Sequence, residues 1–139
     1  MSTAREIMNS SIQTITEDQT LTEAATLMRD LGVGALPVQS TEGTLQGIIT
    51  DRDIVVRACA EGRDLASTRA GELAQGIVST IGPDEPAETI VDLMGTQQVK
   101  RMPVVENGAV IGIISESDLA KNVAEDQITH FVKMVYGRN

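Results

Sequence analysis

The feature that most constrains this chain is that it repeats itself. Displaced by 66 residues, Thr14-Ile15 falls on Thr80-Ile81, Asp18 on Asp84, Leu27-Met28 on Leu93-Met94, Val33 on Val99, and Pro37-Val38 on Pro103-Val104. One residue is then lost in a turn. From there a displacement of 65 puts Gly47-Ile48-Ile49 on Gly112-Ile113-Ile114, Thr50 on Ser115 and Asp53 on Asp118. Identities kept in one order at a near-constant offset mean two copies of one supersecondary unit. Half of a 139-residue chain cannot bury an aliphatic face alone, so the copies are expected to share a core.

Each copy predicts the order β-α-β-β-α. In the first, Gln13–Ile15 is extended, and Thr20 caps a helix with Glu23 at capping-box spacing. Leu21, Ala24, Ala25, Met28 and Leu31 follow at helical spacing, and Gly32 stops the helix. Strands are expected at Ala35–Gln39 and Leu45–Ile49 around a turn at Thr41-Glu42-Gly43. Thr50 then caps a second helix, about Asp51 to Glu61, with Ile54, Val55 and Ala58 inward. In the second copy Ser79–Ile81 is extended and a helix runs from about Pro86 to Gln97 with Ile90, Leu93 and Met94 inward. Strands at Arg101–Val105 and Val110–Ile114 join through Glu106-Asn107-Gly108, a hairpin signal, and Ser115 caps the last helix of the repeat. Short helices are expected at Ala4–Met8 and Ala70–Leu73. A tail helix from Glu125 to Tyr136 would carry Ile128, Phe131, Val132 and Val135 on one stripe. The predicted class is α+β: two repeats, residues 1–66 and 67–123, packed sheet to sheet with pseudo-two-fold symmetry, plus a C-terminal helical tail at 124–139.

Composition removes several functions. One Phe, one Tyr and no Trp leave no aromatic platform for single-stranded nucleic acid. Eleven basic against twenty acidic residues, a net charge of −9, disfavour a phosphate-backbone interface while allowing a local cationic pocket for a small anion. The single Cys59 forbids an intrachain disulfide and fits a reducing compartment. With no apolar run of membrane-spanning length and no apolar signal core in MSTAREIMNS, a cytoplasmic protein without membrane contact is expected.

The strings Gly34-Ala35-Leu36-Pro37-Val38, Gly47-Ile48-Ile49-Thr50-Asp51-Arg52-Asp53 and Gly112-Ile113-Ile114-Ser115-Glu116-Ser117-Asp118 resemble the signature of cystathionine-β-synthase (CBS) domains, in both copies and over about residues 1–122. The layout, tail helix included, is similar to small stand-alone bacterial proteins built from one CBS pair, or Bateman module. The resemblance implies a non-catalytic regulatory or sensor module. It would bind an adenosine compound (AMP, ADP, ATP, S-adenosylmethionine or a dinucleotide) in clefts between the repeats, dimerise, and be read by a downstream protein that the sequence does not name.

The repeated Thr/Ser-x-x-Asp step has chemistry that suits such a ligand. A hydroxyl at a strand-to-helix junction lies beside free backbone N–H groups, and a carboxylate one turn on accepts from two adjacent hydroxyls, as a ribose diol offers. The resemblance assigns Asp53 and Asp118 to ribose and Thr50 and Ser115 to phosphate. It places adenine against Thr14, Ile15, Leu36 and Pro37 in one copy, and Thr80, Ile81, Met102 and Pro103 in the other. Plain helix capping explains the same step, and plain core packing explains the Ile, Leu and Met residues. Lys100-Arg101 of the second copy faces Gly34-Ala35 of the first. A basic residue at the Arg101 position pairs with phosphate in nucleotide-binding relatives, so the second pocket is expected to be the tighter. Its alternative is a solvated strand end. The first would depend on Arg52 or Arg57.

Nothing else in the chain supplies catalysis. His130 is the sole imidazole, which leaves no Ser–His–Asp or Cys–His constellation, and with the distant Cys59 it is too few donors for a four-ligand zinc site. Cys59 reads as a small packed residue. Asp51 and Asp53 stand two apart, a spacing at which helical side chains do not face each other. No catalytic residue, metal or required cofactor is therefore expected, only an adenine nucleotide as ligand. The six Met and the apolar tail stripe point to a homodimer surface. The competing reading is a ligand-free stress-response or structural protein that acts through that surface.

Overall fold

The computed structural model describes residues 2–76 and 79–137 and divides into two compact units, Gln13–Ile77 and Met1–Ile12 with Val78–Asn139. The class is α+β, as the sequence predicts.

In the first unit, β1 (Ile15–Thr16) pairs in parallel with β2 (Ala35–Gln39), which runs antiparallel to β3 (Leu45–Thr50). A short strand, β4 (Gln75–Gly76), closes the far edge by pairing with β3. Helix α2 (Leu21–Leu31) starts where Thr20 Oγ1 accepts from Glu23 N at 3.2 Å and stops at Gly32, whose φ of 68° is open to glycine. Its first N–H groups, orphaned by the helix geometry, donate to Thr68 O and Leu65 O, so the loop before α4 (Ala70–Leu73) seals the helix start. Leu21, Ala24 and Met28 on α2 pack with Ile15, Leu36, Val38 and Ile49 of the sheet and Ala70 and Leu73 of α4.

The helix expected after Thr50 differs from its prediction. An α-helical turn, α3 (Asp51–Ile54), widens into a π-helical turn over Val55–Cys59, and Ala60 N bonds Val55 O five residues back. Ile54 and Ala58 still reach the core. Val55, one position round the helix, turns outward and is 60% exposed, so its predicted inward placement is corrected. Cys59 is likewise exposed rather than packed.

The second unit repeats this plan with shorter edges. β5 (Arg101–Glu106) and β6 (Ala109–Ser115) form the predicted hairpin, with Asn107 at φ 52° and Gly108 at φ 80°, the paired positive angles of a two-residue turn. Ile81 bridges Val104 in parallel, as β1 does β2, and Asn9 exchanges both backbone bonds with Ile113, as β4 does with β3. A Cβ on Gly112 would overlap the Met8 side chain and come within 3.1 Å of Asn9 O, so this close approach needs glycine. Helix α5 (Ala87–Gln97) lies on the hairpin, followed by α6 (Glu116–Asn122) and α7 (Glu125–Tyr136). Met94, Met102, Ile114, Leu119, Phe131 and Val135 form the centre of this core. The predicted tail stripe narrows: Phe131 and Val135 are buried, Ile128 is half-buried, and Val132 is 44% exposed.

The packing units and the sequence copies are not the same residues. α1 (Ala4–Ile7) opens the chain but packs in the second unit, where Ala4 N donates to Glu85 O and Arg5 pairs with Glu106 at 2.7 Å. Its counterpart α4, 66 residues on, packs in the first unit, where Ala70 N donates to Gln19 O. Each copy therefore contributes its leading helix to the other unit. The division by packing falls at 12/13 and 77/78, whereas the division by repeat falls at 66/67.

Candidate ligand site

Sheet register decides which of the sequence-selected residues meet. In the first unit Leu36 pairs with Ile49 and Ala35 with Thr50, and Ile15 lies beside Val38, so Ile15, Leu36, Pro37 and Thr50 belong to one sheet, with Thr50 beside the start of β2 and Ile15 toward its end. Thr50 ends β3 and caps α3. Asp53 N donates to Thr50 Oγ1 at 3.1 Å and Thr50 N to Asp53 Oδ2 at 2.9 Å, a reciprocal capping box. The Asp53 residue is only 4% exposed, and its Oδ1 lies 3.6 Å from Arg57 Nη1. The same guanidinium nitrogen donates to Leu73 O at 2.8 Å, tying the box to the end of α4. Arg52 is exposed, and the cation beside Asp53 is Arg57.

The second unit uses the same register with different side chains. Arg101 pairs with Ser115, Met102 with Ile114 and Pro103 with Ile113. Ser115 N donates to Asp118 Oδ2 at 2.9 Å, and the Ser115 hydroxyl donates to the same oxygen at 3.0 Å while also lying 2.9 Å from Ser117 Oγ. Asp118 is half-buried, as are Arg101 and Ser115, and Lys100 is exposed. Where the first unit sets alanine opposite its hydroxyl, the second sets a guanidinium. Glu116 N donates to Lys100 O at 3.0 Å, as Asp51 N does to Gly34 O at 2.9 Å, so Lys100 occupies the position of Gly34.

The residues selected for adenine divide by exposure. Ile15, Leu36, Ile81 and Met102 are at most 2% exposed and belong to the two cores. Thr14 is half-buried and Thr80 exposed. One residue at the second site escaped the sequence reading. Tyr136, at the end of α7, donates its hydroxyl to Glu116 Oε2 at 2.5 Å, and the Lys100 ammonium lies 4.7 Å from its ring centroid. The Glu116 carboxylate raises the Tyr136 phenol above its ordinary value, with burial adding to the shift. The available signal was that this is the only Tyr in the chain.

Residues 4–58 and 70–125 match the CBS domain family. The chain belongs to that family. It is a tandem pair of CBS domains, a module that is generally regulatory, ligand-binding and non-catalytic, and adenine nucleotides are common ligands of such domains. Hypoxic response protein 1 of Mycobacterium tuberculosis is 38% identical over 135 residues, covering 97% of this chain and 94% of that protein. The CBS domain-containing protein YhcV of Bacillus subtilis is 37% identical over 122 residues, covering 88% and 86%. The crystal structure of Hypoxic Response Protein I with two coordinated zinc ions superposes with a TM-score of 0.77 at 36% identity, covering 88% of this chain and 100% of that one. In the present chain no three His, Cys, Asp or Glu among the described residues come together to hold a metal. No helix is long and apolar enough to cross a membrane.

Proposed function

We propose that this CBS pair is a sensor for an adenosine-containing ligand (AMP, ADP, ATP or S-adenosylmethionine) and that its second CBS unit is the tighter site. One observation carries this reading: at one end of the β5–β6 hairpin Arg101 pairs in register with Ser115, and Ser115 bonds the half-buried Asp118 carboxylate. Arg101 and Lys100 would take the phosphates, Ser115 would hold a phosphate oxygen, and Asp118 would accept from the ribose diol. Thr80, Ile81, Met102 and Pro103 would border the base. In the first unit Thr14, Ile15, Leu36, Pro37, Thr50, Arg52 and Asp53 would form the weaker counterpart, because Asp53 already has Thr50 and Arg57 as partners.

The mechanism is differential binding: ligand favours one arrangement of the protein, and a downstream partner reads the difference. No residue is assigned a catalytic role. We place the protein in the cytoplasm as a homodimer, a state supported by the exposed Val55, Val56 and Val132, which a second copy would cover. Those same residues support the other reading, a ligand-free stress protein that acts through its surface.

Thermal melting with millimolar AMP, ADP, ATP and S-adenosylmethionine separates the two. A ligand at a hundred times its Kd stabilises by about 2.7 kcal/mol, which raises the midpoint by several degrees. No shift with any of the four would leave the surface reading.

A further inference from the structure

We propose that the end of α7 is a latch on the second unit, closed when the site is empty and opened when a phosphate-bearing ligand takes Lys100. The inference rests on the ligand reading above and adds how binding would leave the site. Three contacts converge on Tyr136 and its turn. Its hydroxyl donates to Glu116 Oε2, its ring lies under the Lys100 ammonium, and Gln98 Nε2 donates to Met134 O at 3.1 Å. Lys100 and Glu116 are themselves joined by the backbone bond at 3.0 Å, so the tail grips the two residues that flank Arg101 and Ser115. The first unit has no equivalent: Gly34 stands where Lys100 does, and Asp51 where Glu116 does.

The two anchors of the phenol respond to an anion in the same direction. A phosphate offers Lys100 charge-assisted hydrogen bonds that an aromatic face does not, so the ammonium leaves the ring. The same phosphate repels the Glu116 carboxylate, which pushes it away from the Tyr136 hydroxyl. Tyr136 is 48% exposed and ends the helix, so that end can come away from Lys100 and Glu116 while the buried Phe131 and Val135 keep α7 packed. The device turns occupancy of a buried-edge site into a change on the exposed end of a helix, where a partner can read it.

The test is amide hydrogen exchange over residues 125–136 of the full chain, with and without AMP, ADP and ATP, beside equilibrium dialysis of the same nucleotides. In the bound state the last turn should exchange about fivefold faster, the loss of one contact of cation–π size, while the amides around Phe131 are unchanged. Adenosine, which has no phosphate, should leave the last turn as it was. Tyr136→Phe should show the faster exchange without any nucleotide. If a nucleotide binds by dialysis and the last turn does not respond, the latch is overturned and the ligand reading stands. If none of the three binds, no phosphate-bearing ligand opens the site and the latch is overturned, while the ligand reading then stands or falls on S-adenosylmethionine. If Tyr136→Phe exchanges like the wild type without nucleotide, the phenol holds nothing and the latch is overturned whatever binds.

Discussion

The two CBS units contain the same hydroxyl-to-carboxylate step and use it differently. Around Asp53 the step is closed: a reciprocal capping box, an arginine from the next helical turn, and that arginine bonded onward to Leu73 O. Around Asp118 the box is there but has fewer partners: Ser115 and Asp118 cap α6, no arginine of the same helix follows, and Arg101 stands across the hairpin. Both copies of the motif cap a helix, and they differ in that the first buries its carboxylate whereas the second leaves it half-buried. The π-helical turn after Ile54 belongs to the same contrast. It sits in the stretch that carries Arg57 toward Asp53 and Leu73, and α6 has no such widening.

The largest expected effect breaks the closed copy. Asp53→Ala strips a buried acceptor from the Thr50 N–H and leaves Arg57 without its carboxylate, at a cost of about 2–3 kcal/mol in denaturant unfolding. Asp118→Ala should cost about 1 kcal/mol, since its carboxylate is half open to water. Equal losses would erase the distinction between the units.

Next comes the ligand. Arg101→Ala should weaken nucleotide binding at least about tenfold, the loss of one charge-assisted contact, whereas Arg52→Ala should change it less than about twofold. Titration calorimetry on the two variants reads both numbers, and the reverse order would move the site to the first unit.

A smaller effect separates the two long helices. Thr20→Ala removes the side-chain cap of α2 and should cost about 1 kcal/mol. Pro86 holds the same position before α5 and offers no such acceptor, so Pro86→Ser should gain a few tenths of a kcal/mol at that helix start, read by thermal melting.

These contrasts were unevenly legible in the sequence. The helix limits at Leu21–Leu31, Ala70–Leu73 and Glu125–Tyr136, the Gly32 stop and the Asn107-Gly108 turn all follow from local chemistry, and local chemistry is what a sequence displays. The repeat itself exposed Lys100 and Arg101 as the asymmetric pair. The exchange of α1 and α4 between units was hidden because a helix looks the same whichever sheet it covers. Val55 and Cys59 were misplaced because spacing shows a helix's period but not the widened turn or the width of the face its core accepts. Tyr136 was passed over because its partners, Glu116 and Lys100, lie 20 and 36 positions away in sequence. Which residues touch a ligand is still a proposal, because capping and binding call for the same Thr/Ser-x-x-Asp string.

The smallest effect is spectroscopic and clean, because the chain has one Tyr and no Trp. Absorbance near 295 nm should show the Tyr136 phenol ionising above its ordinary value of about 10, held protonated first by the hydrogen bond to Glu116. Its contribution to stability is therefore present below pH 10 and lost as pH rises through the higher value. Glu116→Ala should bring the midpoint back toward 10. An unchanged midpoint would remove Glu116 as its cause.

The most direct test of the unequal units is the stoichiometry and affinity of AMP, ADP and ATP for the wild type, measured by titration calorimetry beside Arg101→Ala. The expected result is one tighter site per chain that is lost or weakened at least about tenfold in the variant. Two equal sites, or binding indifferent to Arg101, would contradict it.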